Sequence, residues 1–178
     1  MKTLISLVAV VFLSACAQMA PLYRPSIPNV QALNAVKPIR LGQFTAANDS
    51  VESLQVRANV LKSSVDGKYE SYIRDALGQE LSLANKLDAN AAHELSCQLL
   101  DQNLDAGLDK GKGTIQAEFV LKNGGVETYR KRISAEQLWE SSFAGMIAIP
   151  AAEQNYPFLV QNLLAGLYAD KDFINAAQ

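Results

Sequence analysis

Two cysteines, one histidine and a scatter of carboxylates are the residues of this 178-residue chain that could do chemistry. Nucleophilic catalysis needs a base within reach of a serine or cysteine. The one histidine, His93, shares a strand face with Cys97, but four residues of strand separate them by about 13 Å, too far to exchange a proton. No G-x-S-x-G occurs. Acid pairs such as Asp101 and Asp105 have the composition of ordinary loops. Gly111-Lys112-Gly113 lacks the spacing of a phosphate loop and leads into a strand, so it reads as a turn. His93 has no second histidine, and Glu94 points to the opposite strand face, so no metal set forms. His93 itself reads as a surface residue at a strand start. The expectation is a protein that is not an enzyme and holds no metal or cofactor.

Cys16 is different. Met1-Lys2-Thr3 is a short basic start, and Leu4 to Leu13 is an apolar run broken only by Ser6. As a helix ten residues rise about 15 Å, half a hydrocarbon core, which suits a secretory leader rather than a span. Leu13-Ser14-Ala15-Cys16 matches the bacterial lipobox, in which small residues admit the signal peptidase and the cysteine sulfur receives a diacylglycerol. The match assigns residues 1–15 to a lipoprotein signal peptide and Cys16 to lipid attachment, leaving 163 residues in the mature chain. Several acyl chains anchor permanently where one does not. Ala17 follows the cysteine where lipoproteins kept at the inner membrane carry aspartate. The expected address is therefore the outer membrane, lipid-anchored and facing the periplasm. Cys97 then has no partner for a disulfide, and between Leu95 and Leu99 it reads as a small buried hydrophobe.

Composition sets the class. The chain is 49% hydrophobic and 19% charged, with 16 basic against 18 acidic side chains. A disordered chain is excluded, and the absence of a basic excess argues against nucleic acid. Pro21, Pro25, Pro28 and Pro38 make residues 16–38 a lipidated, proline-rich tether, which would span about 25 Å as a coil. Leu22, Tyr23 and Ile27 would also allow it to pack along the domain.

Residues 39–178 read as a single periplasmic domain. Ile39 to Phe44 and Leu54 to Val60 alternate apolar and polar, as half-buried strands do. Tyr69, Tyr72, Ile73, Ala76, Leu77, Leu81, Ala84 and Leu87 recur at helical spacing. Extended patterns return over 93–104, 115–122 and 126–133, and Asn123-Gly124-Gly125 predicts a tight hairpin between the last two. Leu159, Val160, Leu163, Leu164, Leu167 and Tyr168 mark a second helix, with Pro157 in its first turn. The order predicts an α+β fold in two layers, an antiparallel sheet of four to five strands with two helices on one face.

Two surface features remain. Arg130-Lys131-Arg132 lies on a hairpin strand, as a solvated edge that resists aggregation or as a contact for anionic headgroups. Residues 139–150 carry Trp139, Phe143 and Ile147 in an apolar run without clean period. These three either plug the core or form an exposed loop that docks a partner or a lipid chain.

Lipobox, tether and element order together resemble small bacterial envelope lipoproteins. Among these are the auxiliary lipoproteins of lipid-handling ABC transporters and the LptE-like lipopolysaccharide-assembly lipoproteins. The segments Tyr69-Glu70-Ser71-Tyr72-Ile73-Arg74-Asp75-Ala76-Leu77 and Trp139-Glu140-Ser141-Ser142-Phe143 look like those of uncharacterised members. The resemblance implies a non-enzymatic accessory, membrane-bound through its lipid, that meets a protein partner in envelope transport or assembly. The alternative is a protein that binds lipid or lipopolysaccharide directly, which needs an apolar cavity of about 300 Å³ or more between sheet and helices.

Overall fold

The computed structural model describes residues 18–178. The leader and Cys16 lie outside the described residues. Thirteen elements follow in order: β1 (Gln18–Met19), α1 (Ile27–Ala32) with a following 3-10 turn (Leu33–Ala35), β2 (Ile39–Ala46), a 3-10 turn (Asp49–Glu52), β3 (Leu54–Val56), β4 (Asn59–Lys62), α2 (Tyr69–Leu83), β5 (His93–Asp105), β6 (Lys110–Asn123), β7 (Val126–Glu140), α3 (Gly145–Ala169) and α4 (Lys171–Ala176).

The α+β expectation holds. The main sheet runs β2-β5-β6-β7, and one of its faces carries both long helices, α2 over β2 and β5, α3 over β6 and β7. Period-two alternation builds that face: Leu95, Cys97 and Leu99 from β5, and Ile115, Ala117, Phe119 and Leu121 from β6, are all buried. A register shift between Leu99 and Asp101 reverses the parity of β5, so that Gln102 and Leu104 point inward beyond it. The hairpin between β6 and β7 turns on Gly124 and Gly125, both at positive φ, with Asn123 facing Val126. That is the two-residue turn expected of Asn-Gly-Gly.

The sheet differs from the expectation in three ways. It is mixed, because β2 lies parallel to β5, with Ile39 opposite His93. Residues 54–60 form not one strand but a hairpin, β3 and β4, broken where Arg57 adopts φ 54°. Gly111-Lys112-Gly113 is not a turn but part of β6. Gly111 lies opposite Trp139, and a methyl group on it would collide with the indole. Trp139 thus covers β6 only because Gly111 and Gly113 leave the room.

The helix α3 begins at Gly145, twelve residues before the expected start, and contains both Pro150 and Pro157. The proline-rich stretch is also more than a tether. Ala20, Tyr23, Asn29, Leu33 and Val36 are buried, and Tyr72 donates its hydroxyl to the Pro21 carbonyl at 2.7 Å. From Gln18 onward this segment is laid against the domain and belongs to its core.

Candidate docking surfaces

One end of the sheet gathers three connections: the β3–β4 turn at Arg57–Ala58, the β5–β6 loop at 106–109, and the β7–α3 loop at 141–144. Arg57 ties them together. Its guanidinium donates to the carbonyls of Gly107 at 2.5 Å, Ser142 at 2.6 Å and Phe143 at 2.8 Å. Ser141 adds a backbone bond to the Asp109 carbonyl at 2.7 Å. On this fixed frame Leu108, Phe143, Met146 and Ile147 are 75%, 82%, 86% and 58% exposed. From Ser141 to Ala152 no residue is charged.

The Trp139, Phe143 and Ile147 group is therefore split. Trp139 is buried against Gly111, as a core residue, and its indole N–H meets no acceptor. Phe143 and Ile147 are exposed, as are Met146 on the same segment and Leu108 on the loop that Arg57 joins to it. Leu108 comes from a different hairpin, so no sequence pattern joins it to the other three.

Arg130, Lys131 and Arg132 stand on the edge strand β7, each facing carboxylates. Arg130 pairs with Glu118 and Glu127, both at 2.7 Å, and Arg132 reaches Glu118 at 3.4 Å. Lys131 points to the helix side, 2.8 Å from Asp170 and 3.1 Å from Asp172. Its ammonium and the N–H of Asp172 hold Asp170 below the usual carboxylate range, against a desolvation cost that pushes the other way. Three cations thus meet four carboxylates, which suits the solvated-edge reading of this strand.

Two larger hollows open on the described surface, and both face outward, the first at the rim where α2 meets Leu41 of β2. One, about 740 Å³, follows α2 past Leu41, Arg74, Asp75, Leu83 and Leu87. It reaches the far end of the sheet, where Leu87 bridges Ile39 and Ile39 pairs with His93. The other, about 660 Å³, lies between Pro21–Arg24 and the Pro157–Gln161 turn of α3. The space between the layers is filled by Tyr69, Tyr72, Tyr156, Phe119, Leu163 and their neighbours, all fully buried. The Tyr69 and Tyr72 rings lie 4.9 and 5.2 Å from that of Tyr156.

Beside this aromatic layer sits one buried carboxylate, Glu80, with 0% exposure. Its Oε1 accepts from the Tyr23 hydroxyl at 2.5 Å, the Asn29 amide at 3.1 Å and the Ser26 backbone N–H at 3.1 Å. Its Oε2 accepts from Tyr168 at 3.0 Å. Burial raises the Glu80 carboxyl above its ordinary range, and these four donors partly offset the rise. These bonds join the N-terminal segment to α2 and α3.

Cys97 is buried, as expected, and desolvation pushes its thiol well above the usual range. His93 does open β5, but it is buried rather than at the surface, and burial lowers its basicity. Among the described residues, no three metal-ligating side chains converge.

The chain matches no family model and no curated protein. Among solved structures it is similar to protein XCC0632 from Xanthomonas campestris, of the family DUF330, at a TM-score of 0.63 and 10% identity over 89% of this chain and 96% of that one. A candidate lipoprotein from Caulobacter crescentus overlaps at a TM-score of 0.47 and 14% identity, covering 83% and 93% of the two chains. A minor lipoprotein from Acinetobacter baumannii gives 0.42 and 14%, covering 74% and 92%. The likeness to the Xanthomonas protein is one of fold: over 89% of its length this chain shares the fold of a DUF330 protein.

Proposed function

We propose that this protein is a lipid-anchored accessory of the bacterial envelope, held at the outer membrane through Cys16 and facing the periplasm. In this reading it has no catalytic activity and docks a protein partner in transport or assembly. The observation that carries it is the lipobox Leu13-Ser14-Ala15-Cys16, two residues ahead of a domain whose interior is filled and whose hollows open outward. The resemblance to auxiliary lipoproteins of lipid-handling ABC transporters supports the class of system. A direct lipid carrier is less favoured, because the sheet–helix interface holds packed aromatic rings where the acyl chain would lie.

The partner surface in this reading is the groove along α2, with its apolar floor at Leu41, Leu83 and Leu87 and its polar rim at Arg74, Asp75 and Gln79. A test combines two measurements on the full-length chain in a bacterial host. Labelled palmitate enters the wild type and not Cys16→Ala. Photo-crosslinkers at Gln79 and Ser82 give a discrete protein adduct, and one at Ser134 on the polar sheet face gives none. An unlabelled wild type, or groove adducts with phospholipid alone, would sink the proposal.

A further inference from the structure

We infer that the Leu108–Phe143–Met146–Ile147 end is a membrane-seating surface, which dips into the same bilayer leaflet that holds the acyl chains on Cys16. The inference rests on the anchor proposed above and assigns the domain an orientation. It begins with β1. Gln18 pairs with Leu61 and Met19 with Lys62, in parallel with β4. β1 therefore meets the last two residues of β4 and, running parallel to it, is approached from the side of the Arg57–Ala58 turn. Only Ala17 lies between Cys16 and Gln18, two steps that span at most about 7 Å of extended chain. From Gln18 on the segment is bound to the domain, so no free linker remains to hold the domain away from the membrane.

The end that faces the bilayer is then the Arg57 end. Arg57 itself bonds Gly107, Ser142 and Phe143, so the segments that carry the four exposed apolar side chains are tied to the β3–β4 hairpin with which β1 pairs. Their chemistry fits a bilayer rather than water. Twelve consecutive residues, 141–152, carry no charge, and Phe143 and Met146 are the two most exposed large apolar side chains among those described. Interfacial segments of this kind sink about 5–10 Å to the headgroup–acyl boundary. Nearby Asp105, Asp109 and Glu140 are exposed and outnumber Lys110 and Arg57, whose guanidinium is occupied by three carbonyls, so apolar contact and not attraction to anionic lipid drives the seating.

The test uses the full-length lipidated protein in phosphatidylethanolamine–phosphatidylglycerol vesicles. A nitrobenzoxadiazole label is attached at Phe143→Cys, Met146→Cys or, as control, Val126→Cys. Val126 is 68% exposed on the hairpin at the opposite end. Cys97 is buried and does not compete for the label. Labels at 143 and 146 are expected to be quenched about threefold more by spin-labelled lipid than the label at 126, whatever the anionic lipid fraction or salt. Flotation with the vesicles, read on the same samples, reports the anchor separately.

Protein that does not float defeats both the anchor and the seating. Protein that floats, with labels at 143 and 146 as open to aqueous iodide as the control, defeats the seating alone. Labels shielded from both quenchers identify a protein contact at this end, a second copy included, and also defeat it.

Discussion

The hydroxyl of Tyr23 donates to the carboxylate of Glu80 across 57 residues of sequence, at a site closed to solvent. This bond, with those from Ser26 and Asn29, fastens the proline-spaced N-terminal segment to α2. Glu80→Leu removes the acceptor of three side chains and one backbone N–H at once. It should cost about 3 kcal/mol or more, because buried donors without acceptors are expensive. Glu80→Gln keeps one oxygen for the three donors and lets Tyr168 accept instead, so it should cost far less. Urea midpoints of the two variants check the order.

Stability should fall as pH rises from about 4.5 to 7. Burial, a hydrogen bond that protonated Glu52 donates to the Glu70 carboxylate, and the charge of Glu70 push Glu52 up to about 7, opposed by the Tyr69 N–H and by Lys68. Glu80 is raised for the same leading reason. With folded-state pKa above the unfolded value near 4.5, the native state binds more protons through this window and loses that advantage as pH climbs. Glu52→Gln should flatten the slope of denaturant midpoint against pH, and a slope unchanged in that variant would refute the assignment.

Gly111→Ala should destabilise by about 1–3 kcal/mol, as overpacking does, because its methyl group collides with the Trp139 indole. Trp139 emission should be blue-shifted in the wild type and move to longer wavelength in the variant. Thermal unfolding followed at that wavelength measures both.

Arg57→Ala should loosen the loops without unfolding the sheet. The guanidinium bonds three carbonyls from two loops, and a lysine ammonium in its place cannot span them with one planar fork. Hydrogen exchange at 141–147 should quicken in both Arg57→Ala and Arg57→Lys, while exchange in β5 and β6 stays slow. Protection kept in either variant would count against the staple.

Replacing Arg130, Lys131 and Arg132 together by alanine should leave retention on phosphate-bearing lipid unchanged, since their charge is met by Glu118, Glu127, Asp170 and Asp172. A lipid-overlay comparison with the wild type decides it.

Periodicity made much of this fold legible. The helix α2 and the strands β5 to β7 bury one repeating face each, and Asn123-Gly124-Gly125 declares its own turn. The first half of α3 was opaque because Pro150 and Pro157 mimic helix starts and the apolar run around them has no single face. The N-terminal segment was opaque for another reason: its burial depends on Glu80, far away in sequence, which local pattern reads as one more polar helix residue. At the exposed end, the apolar run over 143–147 was visible. Its link to Leu108 and Arg57 was not, since only the turn of three separate connections brings them together.

The parallel pairing of β1 with β4 has a consequence for distance. A lipoprotein on a flexible leash samples a hemisphere of positions, and its reach depends on linker length. In the anchored arrangement proposed above, the chain from Gln18 on is part of the fold, so reach becomes a property of the sheet. The fifteen residues of β7 extend about 50 Å at strand rise, which makes the domain a ruler of fixed length. In the seating inferred above, whatever meets the His93 end comes to that height above the membrane, and lengthening the chain ahead of Gln18 is expected to change the measurement.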